Sequence, residues 1–174
     1  AHTNHDAIAA LNTLFAQDGL VVYVPAGVAL EQPVQLINLF RRTEPIMANR
    51  RILFVVEDGA SAKLLVCDHS MGDTDFLSTE VIEIFAGRDA VVDYYDLEES
   101  SIRTRRFSSL FVEQEAGSNV LVNGITLNNG QTRNNYRARI NGEGAELTLC
   151  GMAIEDREQR VDTYSHISHR VPRC

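Results

Sequence analysis

The sequence predicts an all-β fold, a parallel β-helix in which one strand-rich unit repeats and stacks on itself. Three observations lead there. Glycines follow apolar runs at Gly59, Gly87, Gly117 and Gly144, with spacings of 28, 30 and 27 residues, a periodicity typical of solenoids. The residues after each glycine alternate between apolar and polar in one register. The apolar residues are drawn from Val, Ile, Leu and Ala, with no tryptophan in the chain, a composition suited to buried parallel strands.

The register can be read residue by residue. At odd offsets from the glycines lie Ala62, Leu64 and Val66; Ala90, Val92 and Tyr94; Val120, Val122 and Gly124; and Leu147, Leu149 and Gly151. At even offsets lie Ser61, Lys63 and Leu65; Asp89, Val91 and Asp93; Asn119, Leu121 and Asn123; and Glu146, Thr148 and Cys150. Successive side chains on a strand point to opposite faces, so the odd set is expected to face a core and the even set solvent. A one-residue slip would exchange the sets, which fixes the register. Gly27 extends the series upstream but fits poorly, because Gln32 falls at a core offset.

A second strand candidate precedes each glycine: Ile52–Val56, Val81–Phe85, Phe107–Val112 and Tyr136–Ile140. One repeat is therefore strand, sharp corner, strand and a looser return. Glycine suits the corner because it tolerates positive φ. A single repeat cannot bury its inner face, whereas stacked repeats can. Crossovers between parallel strands are right-handed by strong preference, so the helix is expected to be right-handed. An antiparallel β-sandwich with accidental spacing would not keep four copies in one register.

The first segment differs. His5–Gln17 places Ile8, Leu11, Leu14 and Phe15 at helical spacing, Asn4 is available as its cap, and Asp18-Gly19 ends it. Residues 1–19 are read as a helix and lead-in covering the open N-terminal end of the stack. Residues 20–174 are read as the β-helix core.

Composition sets the remaining bounds. The chain has 174 residues, 44% apolar and 23% charged, enough for one folded domain. Its net charge of −8 argues against nucleic-acid binding. The short basic runs Arg41-Arg42, Arg50-Arg51 and Arg103–Arg106 read as solvated edges. Cys67, Cys150 and Cys174 are odd in number and widely spaced, which suits a reducing cytosol rather than a disulfide framework. No stretch reaches the roughly 18 apolar residues of a membrane span, and no secretory leader is visible. A cytoplasmic protein is expected, and the abrupt start and finish read as boundaries within a longer protein.

Chemistry-bearing constellations are few. His166, His169 and Cys174 make the pattern H-x2-H-x4-C, side chains that suit zinc or iron–sulfur centres. Positions i and i+3 on a strand face opposite ways, so a shared metal would need a bend. Cys67-Asp68-His69 places a thiol and an imidazole on one outward face, and Cys150 also faces outward. Each cysteine is expected to pack as a small hydrophobe. The densest acidic group is Asp93, Asp96, Glu98 and Glu99, beside Tyr94 and Tyr95. Paired carboxylates could serve a polysaccharide-cleaving β-helix enzyme, but Glu98 and Glu99 point oppositely on a strand and read as a solvated corner. Neither a phosphate-binding glycine loop nor a nucleophile elbow is present, and Gly142-Glu143-Gly144 reads as a corner.

The order of several segments resembles the SufB/SufD family. These are Ala10-Leu11-Asn12-Thr13, the run Asp18 to Val28, Pro33 to Phe40, Arg51 to Ala60, Asn141 to Leu147 and Asp162 to His169. Gln35-Leu36-Ile37-Asn38 is closer to SufD than to SufB, and the resemblance covers about residues 8–174. It implies a non-catalytic scaffold for iron–sulfur cluster assembly, working with SufB and SufC homologues, in which ATP belongs to SufC. It also implies that the SufC-binding region and the main Cys/His segment lie beyond the coils present here, so no cofactor is expected on this chain. The matching stretch of SufD proteins carries a histidine followed by a cysteine, which draws attention to Cys174. Two other functions stay open: an extracellular enzyme acting on polysaccharide, and a direct metal or cluster carrier using His166, His169 and Cys174. A homo-oligomer through an exposed β-helix end is the remaining expectation.

Overall fold

A computed structural model of the protein describes residues 6–17, 19–41 and 43–174. One helix, α1 (Ala7–Phe15), precedes eleven strands: β1 (Leu20–Val24), β2 (Val34–Arg41), β3 (Ile46–Val56), β4 (Ser61–Met71), β5 (Phe76–Ala86), β6 (Val91–Glu99), β7 (Thr104–Gln114), β8 (Asn119–Asn128), β9 (Gln131–Ile140), β10 (Glu146–Ala153) and β11 (Arg160–His169). Odd-numbered strands form a six-stranded sheet in the order β1-β3-β5-β7-β9-β11, and even-numbered strands a five-stranded sheet in the order β2-β4-β6-β8-β10. Every paired strand runs parallel to its neighbour. The chain thus winds as a β-helix of about five coils, each giving one strand to each sheet.

The inward set is as the alternation requires. Ala62, Leu64, Val66, Ala90, Val92, Tyr94, Val120 and Val122 are buried, and Leu147 and Leu149 pack against them. Register makes like stack on like: Val22, Phe54, Ile84, Val112, Ala138 and Ile167 form one column through the odd sheet. Burying each such side chain contributes roughly 1.5–3 kcal/mol, which offsets the ordering of otherwise featureless strands.

The corners refine the repeat. Gly59, Gly117 and Gly144 have φ of 65°, 69° and 72°, the left-handed region that glycine adopts at little cost. Gly87 is not their equivalent. A ladder of hydrogen bonds joins the corners, from Gly27 N to Asp58 O, Gly59 N to Arg88 O, Asp89 N to Ala116 O and Gly117 N to Glu143 O. Asp89, with φ 55°, therefore holds the corner position two residues beyond Gly87. The apolar assignment survived that offset because a slip of two leaves every side chain on its own face. The misfit after Gly27 is an insertion: Ala29 bridges Ser61, but Val34 pairs Leu64, so the first coil holds two extra residues between them.

The helix differs more from expectation. Asn4 and His5 lie outside the described residues, and the cap is Asp6, whose Oδ1 accepts from Ile8 N at 3.0 Å and Ala9 N at 3.1 Å. Instead of covering the end of the stack, α1 lies across the outer face of the odd sheet, where Ala9 packs on Val81 and Phe111. The Nδ2 of Asn12 donates to Arg50 O at 3.0 Å and Thr79 O at 3.1 Å. The buried face thus runs through Ala9 and Asn12, while Leu14 and Phe15 are exposed.

Candidate functional site

The β-helix interior is divided lengthwise. Its half nearest the glycine corners is apolar. The other half is formed by the last residues of the even strands and the first of the odd strands, and it is charged. In the even sheet, Asn38, Asp68, Glu98 and Thr126 stack in one column. In the odd sheet, Arg50, Glu80, Ser108 and Asn134 form one column, and Ser78, Arg106 and Thr132 the next. Facing columns bring four carboxylates around two guanidiniums.

Arg106 is the hub. Its Nη2 donates to Glu80 Oε1 and to Asp96 Oδ1 and Oδ2 at 2.9 and 2.8 Å. Its Nη1 donates to Asn134 Oδ1 at 3.4 Å and lies 3.7 Å from Glu98 Oε2, while Nε lies 3.4 Å from Asp68 Oδ2. Arg50 grips Asp68 with both terminal nitrogens, at 2.6 and 2.5 Å, and reaches Glu80 Oε2. Asn38 Nδ2 donates to Asp68 at 2.9 Å, and Glu98 accepts from Ser100 and Thr132 hydroxyls, each at 2.9 Å. The Tyr94 hydroxyl is buried beside this group without a partner among the described residues.

Four carboxylates against two guanidiniums leave the network short of positive charge, and the titration behaviour follows. Burial pushes Glu80, Asp96 and Glu98 above the ordinary carboxylate range, only partly opposed by Arg106. Burial acts the same way on Asp68. There, Arg50, Arg106 and the hydrogen bonds from Arg50 and Asn38 together outweigh it, and the carboxyl is held below the usual value. Burial also opposes the charge on Arg106, but the surrounding carboxylates hold that guanidinium firmly protonated. The interior therefore retains protons on Glu80, Asp96 and Glu98 more readily than water would, and on Asp68 less readily.

Two sequence expectations are corrected here. Arg50 and Arg106 do not lie on solvated edges; Arg106 is buried in the interior and Arg50 is half-buried beside it. Asp96 and Glu98 do not form a solvated corner; they sit on β6 and point inward, because they continue the odd-offset parity from Tyr94. Of the acidic group, Asp93 faces out toward Lys63, and Glu99 toward His69. Extending the alternation by two and four residues past Tyr94 is the signal that would have placed both acids inside. A cavity of about 420 Å³ opens beside the network near β10 and β11 and is lined by Thr126, Asn134, Tyr136 and Thr163.

The H-x2-H-x4-C residues are partly brought together. His166 pairs in register with Arg137 and His169 with Ile140, so the two histidines fall on opposite faces of β11, as alternation requires. The chain then bends at 171–173, where Arg173 has φ 58°. That bend brings Cys174 Sγ to 3.2 Å from His169 Nδ1, and the thiol also contacts Val171 O at 3.2 Å. Cys67 is only 2% exposed although it stands on the outward set, and Gln35 Nε2 donates to its sulfur at 3.6 Å. His69 turns to Glu99 Oε2 at 3.2 Å rather than to Cys67. Cys150 is exposed and stacks on Asn123, away from Cys67, which stacks on Leu97. Among the described residues, no cluster of three or more His, Cys, Asp or Glu side chains is arranged for a metal ion.

Comparison with known proteins matches two parts of the chain. Residues 40–174, the coils from the end of β2 onward, match the SUF system FeS cluster assembly, SufBD core domain, and residues 1–36 match the SufBD protein N-terminal region. An iron–sulfur cluster assembly SufBD family protein of Staphylococcus epidermidis is 28% identical over 94% of this chain and 35% of its own length. One from Synechocystis is 25% identical over 93% of this chain and 38% of its own length. The chloroplastic protein ABCI7 of Arabidopsis thaliana is 25% identical over 97% of this chain and 37% of its own length. The chain thus spans little more than a third of the length of these relatives.

Proposed function

This chain belongs to the SufBD family of iron–sulfur cluster assembly proteins, and we propose that it is the β-helix trunk of a SufD-like scaffold component, without catalytic activity of its own. The observation that carries the reading is the joint one: the family core match coincides with the stacked coils, and the charged groups inside those coils are engaged with one another. A guanidinium such as Arg106, committed to Glu80, Asp96 and Asn134, is built to hold two sheets at a fixed separation rather than to bind a passing substrate. Such a rigid body offers its outer faces and sheet edges to partners. The partners proposed are SufB and SufC homologues in the cytoplasm, with ATP handled by SufC, and Gln35-Leu36-Ile37-Asn38 favours SufD over SufB.

The test is affinity capture of the full-length protein against SufB and SufC homologues, repeated with this chain. Retention of SufB and SufC by the full-length protein is the expected result. If neither is retained, the SufD-like assignment is wrong. A second reading, direct metal or cluster carriage, is favoured only by the contact between His169 and Cys174. Anaerobic reconstitution with iron and sulfide, read by absorbance, separates the two. A stable cluster on this chain that vanishes in Cys174→Ser would replace the scaffold reading.

A further inference from the structure

On the outer face of the odd sheet α1 packs over β3 and β5, its cap Asp6 reaches Ser109 of β7 and Asn135 of β9, and the outward Arg160, Asp162, Tyr164 and His166 of β11 are exposed among the described residues. Over β7, β9 and β11 the outward positions read, row by row, Arg105–Gln131–Arg160, Phe107–Arg133–Asp162, Arg137–His166 and Glu113–Arg139. Five guanidiniums thus share one face with three carboxylates, Asp162, Glu113 and Asp6, the last held by Ser109 and Asn135 in the row between Arg133 and Arg137, in a chain whose net charge is −8. Asp162 is paired with Arg133, and Glu113 lies 3.5 Å from Arg139. Arg105, Arg137 and Arg160 have no carboxylate partner among the described residues. Tyr164 lies between Arg133 and Arg137, whose guanidinium carbons are 5.8 and 5.9 Å from its ring centre, so the arginines are held in place rather than waving in solvent. Arg105, Arg133 and Arg160 also line a groove of about 210 Å³ together with Phe107, Gln131 and Asp162.

We infer that this face is a docking surface for an extended, carboxylate-rich segment of a partner protein. The choice of arginine is the first reason. Lys63 is the single lysine among 16 basic residues, and the planar guanidinium fork matches carboxylate in a way that a lysine point charge does not. Spacing is the second. Outward residues on one strand recur every ~7 Å, the same distance that separates alternate side chains of an extended peptide, so carboxylates at every second position can meet Arg137 and Arg139 in succession, and one two steps further along can meet Arg133 beyond Asn135. The charge balance is the third. An excess of two positive charges interrupted by Asp6, Asp162 and Glu113 suits a short acidic segment, while a long polyphosphate chain would meet those three carboxylates and the negative field of the whole chain. The inference is independent of which SUF component the chain represents.

The probe is a ten-residue peptide alternating Glu and Thr, titrated into isotope-labelled protein and followed by NMR, with oligothymidylate of equal charge as a second probe. Shifts confined to the outer face of β7, β9 and β11, weakening at least fivefold between 50 and 200 mM salt on counterion grounds, are expected. Arg105→Gln with Arg137→Gln, neither of which loses an internal carboxylate partner, should weaken binding about tenfold, while Arg88→Gln on a distant corner should not. Absence of peptide binding, shifts elsewhere, an unchanged affinity in the double variant, or tighter binding of oligothymidylate at these residues would each overturn the inference. So would concentration-dependent self-association through this face, because the occupant would then be a second copy of the chain.

Discussion

Replacing Arg106 with methionine removes one guanidinium while keeping most of its volume, so little of the effect comes from a cavity. Among the described residues, Asp96 and Glu98 have no other guanidinium within ion-pair distance, whereas Glu80 and Asp68 retain Arg50. The substitution therefore strands two buried carboxylates. Removing one partner of a buried ion pair costs about 3–5 kcal/mol, and the upper part of that range is expected here because two partners are orphaned. A domain of this kind has ~5–15 kcal/mol in total, so the loss consumes a large share. Urea unfolding followed by circular dichroism should show a midpoint lowered at constant slope. The orphaned acids can recover by taking up protons, so the loss should shrink between pH 8 and pH 5. Arg106→Met with Asp96→Asn should recover part of it. A loss under about 1 kcal/mol at pH 8, or one of equal size at both pH values, would show that the network is not the clamp described.

Three further outcomes follow from the same structure. In the parent protein, the native carboxyls of Glu80, Asp96 and Glu98 are raised, so their contribution is complete below the ordinary carboxylate value of about 4 and is lost as pH climbs through the raised values. Asp68 acts oppositely and weakens the fold only in acid. Unfolding midpoints measured in steps upward from pH 4 should fall as pH rises, and a profile flat or rising throughout would contradict this. A Cβ on Gly142 would stand 2.0 Å from Ala116 N, whereas one on Gly144 would meet nothing within 4 Å. Gly142→Ala should therefore cost about 2–4 kcal/mol through steric strain, and Gly144→Ala only about 1–2 kcal/mol through its positive φ, a ranking that thermal melts can check. Asn12→Ala should cost about 1–3 kcal/mol by stranding the Arg50 and Thr79 carbonyls, and hydrogen exchange should rise first in α1.

How much of this the sequence discloses depends on how far each cause reaches along the chain. Alternation on a strand is local, so Leu64, Val92 and Val122 could be placed inside from a few residues of context. It is also forgiving, which is why misplacing the third corner at Gly87 instead of Asp89 moved no side chain to the wrong face. Helix docking is less local. Ile8, Leu11, Leu14 and Phe15 make a plausible apolar stripe, but α1 follows instead the hydrogen bonds that Asn12 makes to the carbonyls of Arg50 and Thr79, 38 and 67 residues away. The interior network is the least legible. Local polarity places Asp96, Glu98 and Arg106 at the surface, because an isolated buried charge is unaffordable. Their burial becomes favourable only when Glu80, 26 residues before Arg106, arrives from the neighbouring strand and Asp96, 10 residues before it, from the facing sheet. The arithmetic of coil length decides that meeting. Residues one coil apart stand beside each other, so a charge near one corner reads as solvated until its counterpart about 30 residues away is recognised as its neighbour. Parity carried past Tyr94 would have pointed both acids inward, and the search for a cation on the next strand of the same coil would then have found Arg106. In a stacked fold, the chemistry of the interior is encoded at the period of the coil rather than at the period of the strand.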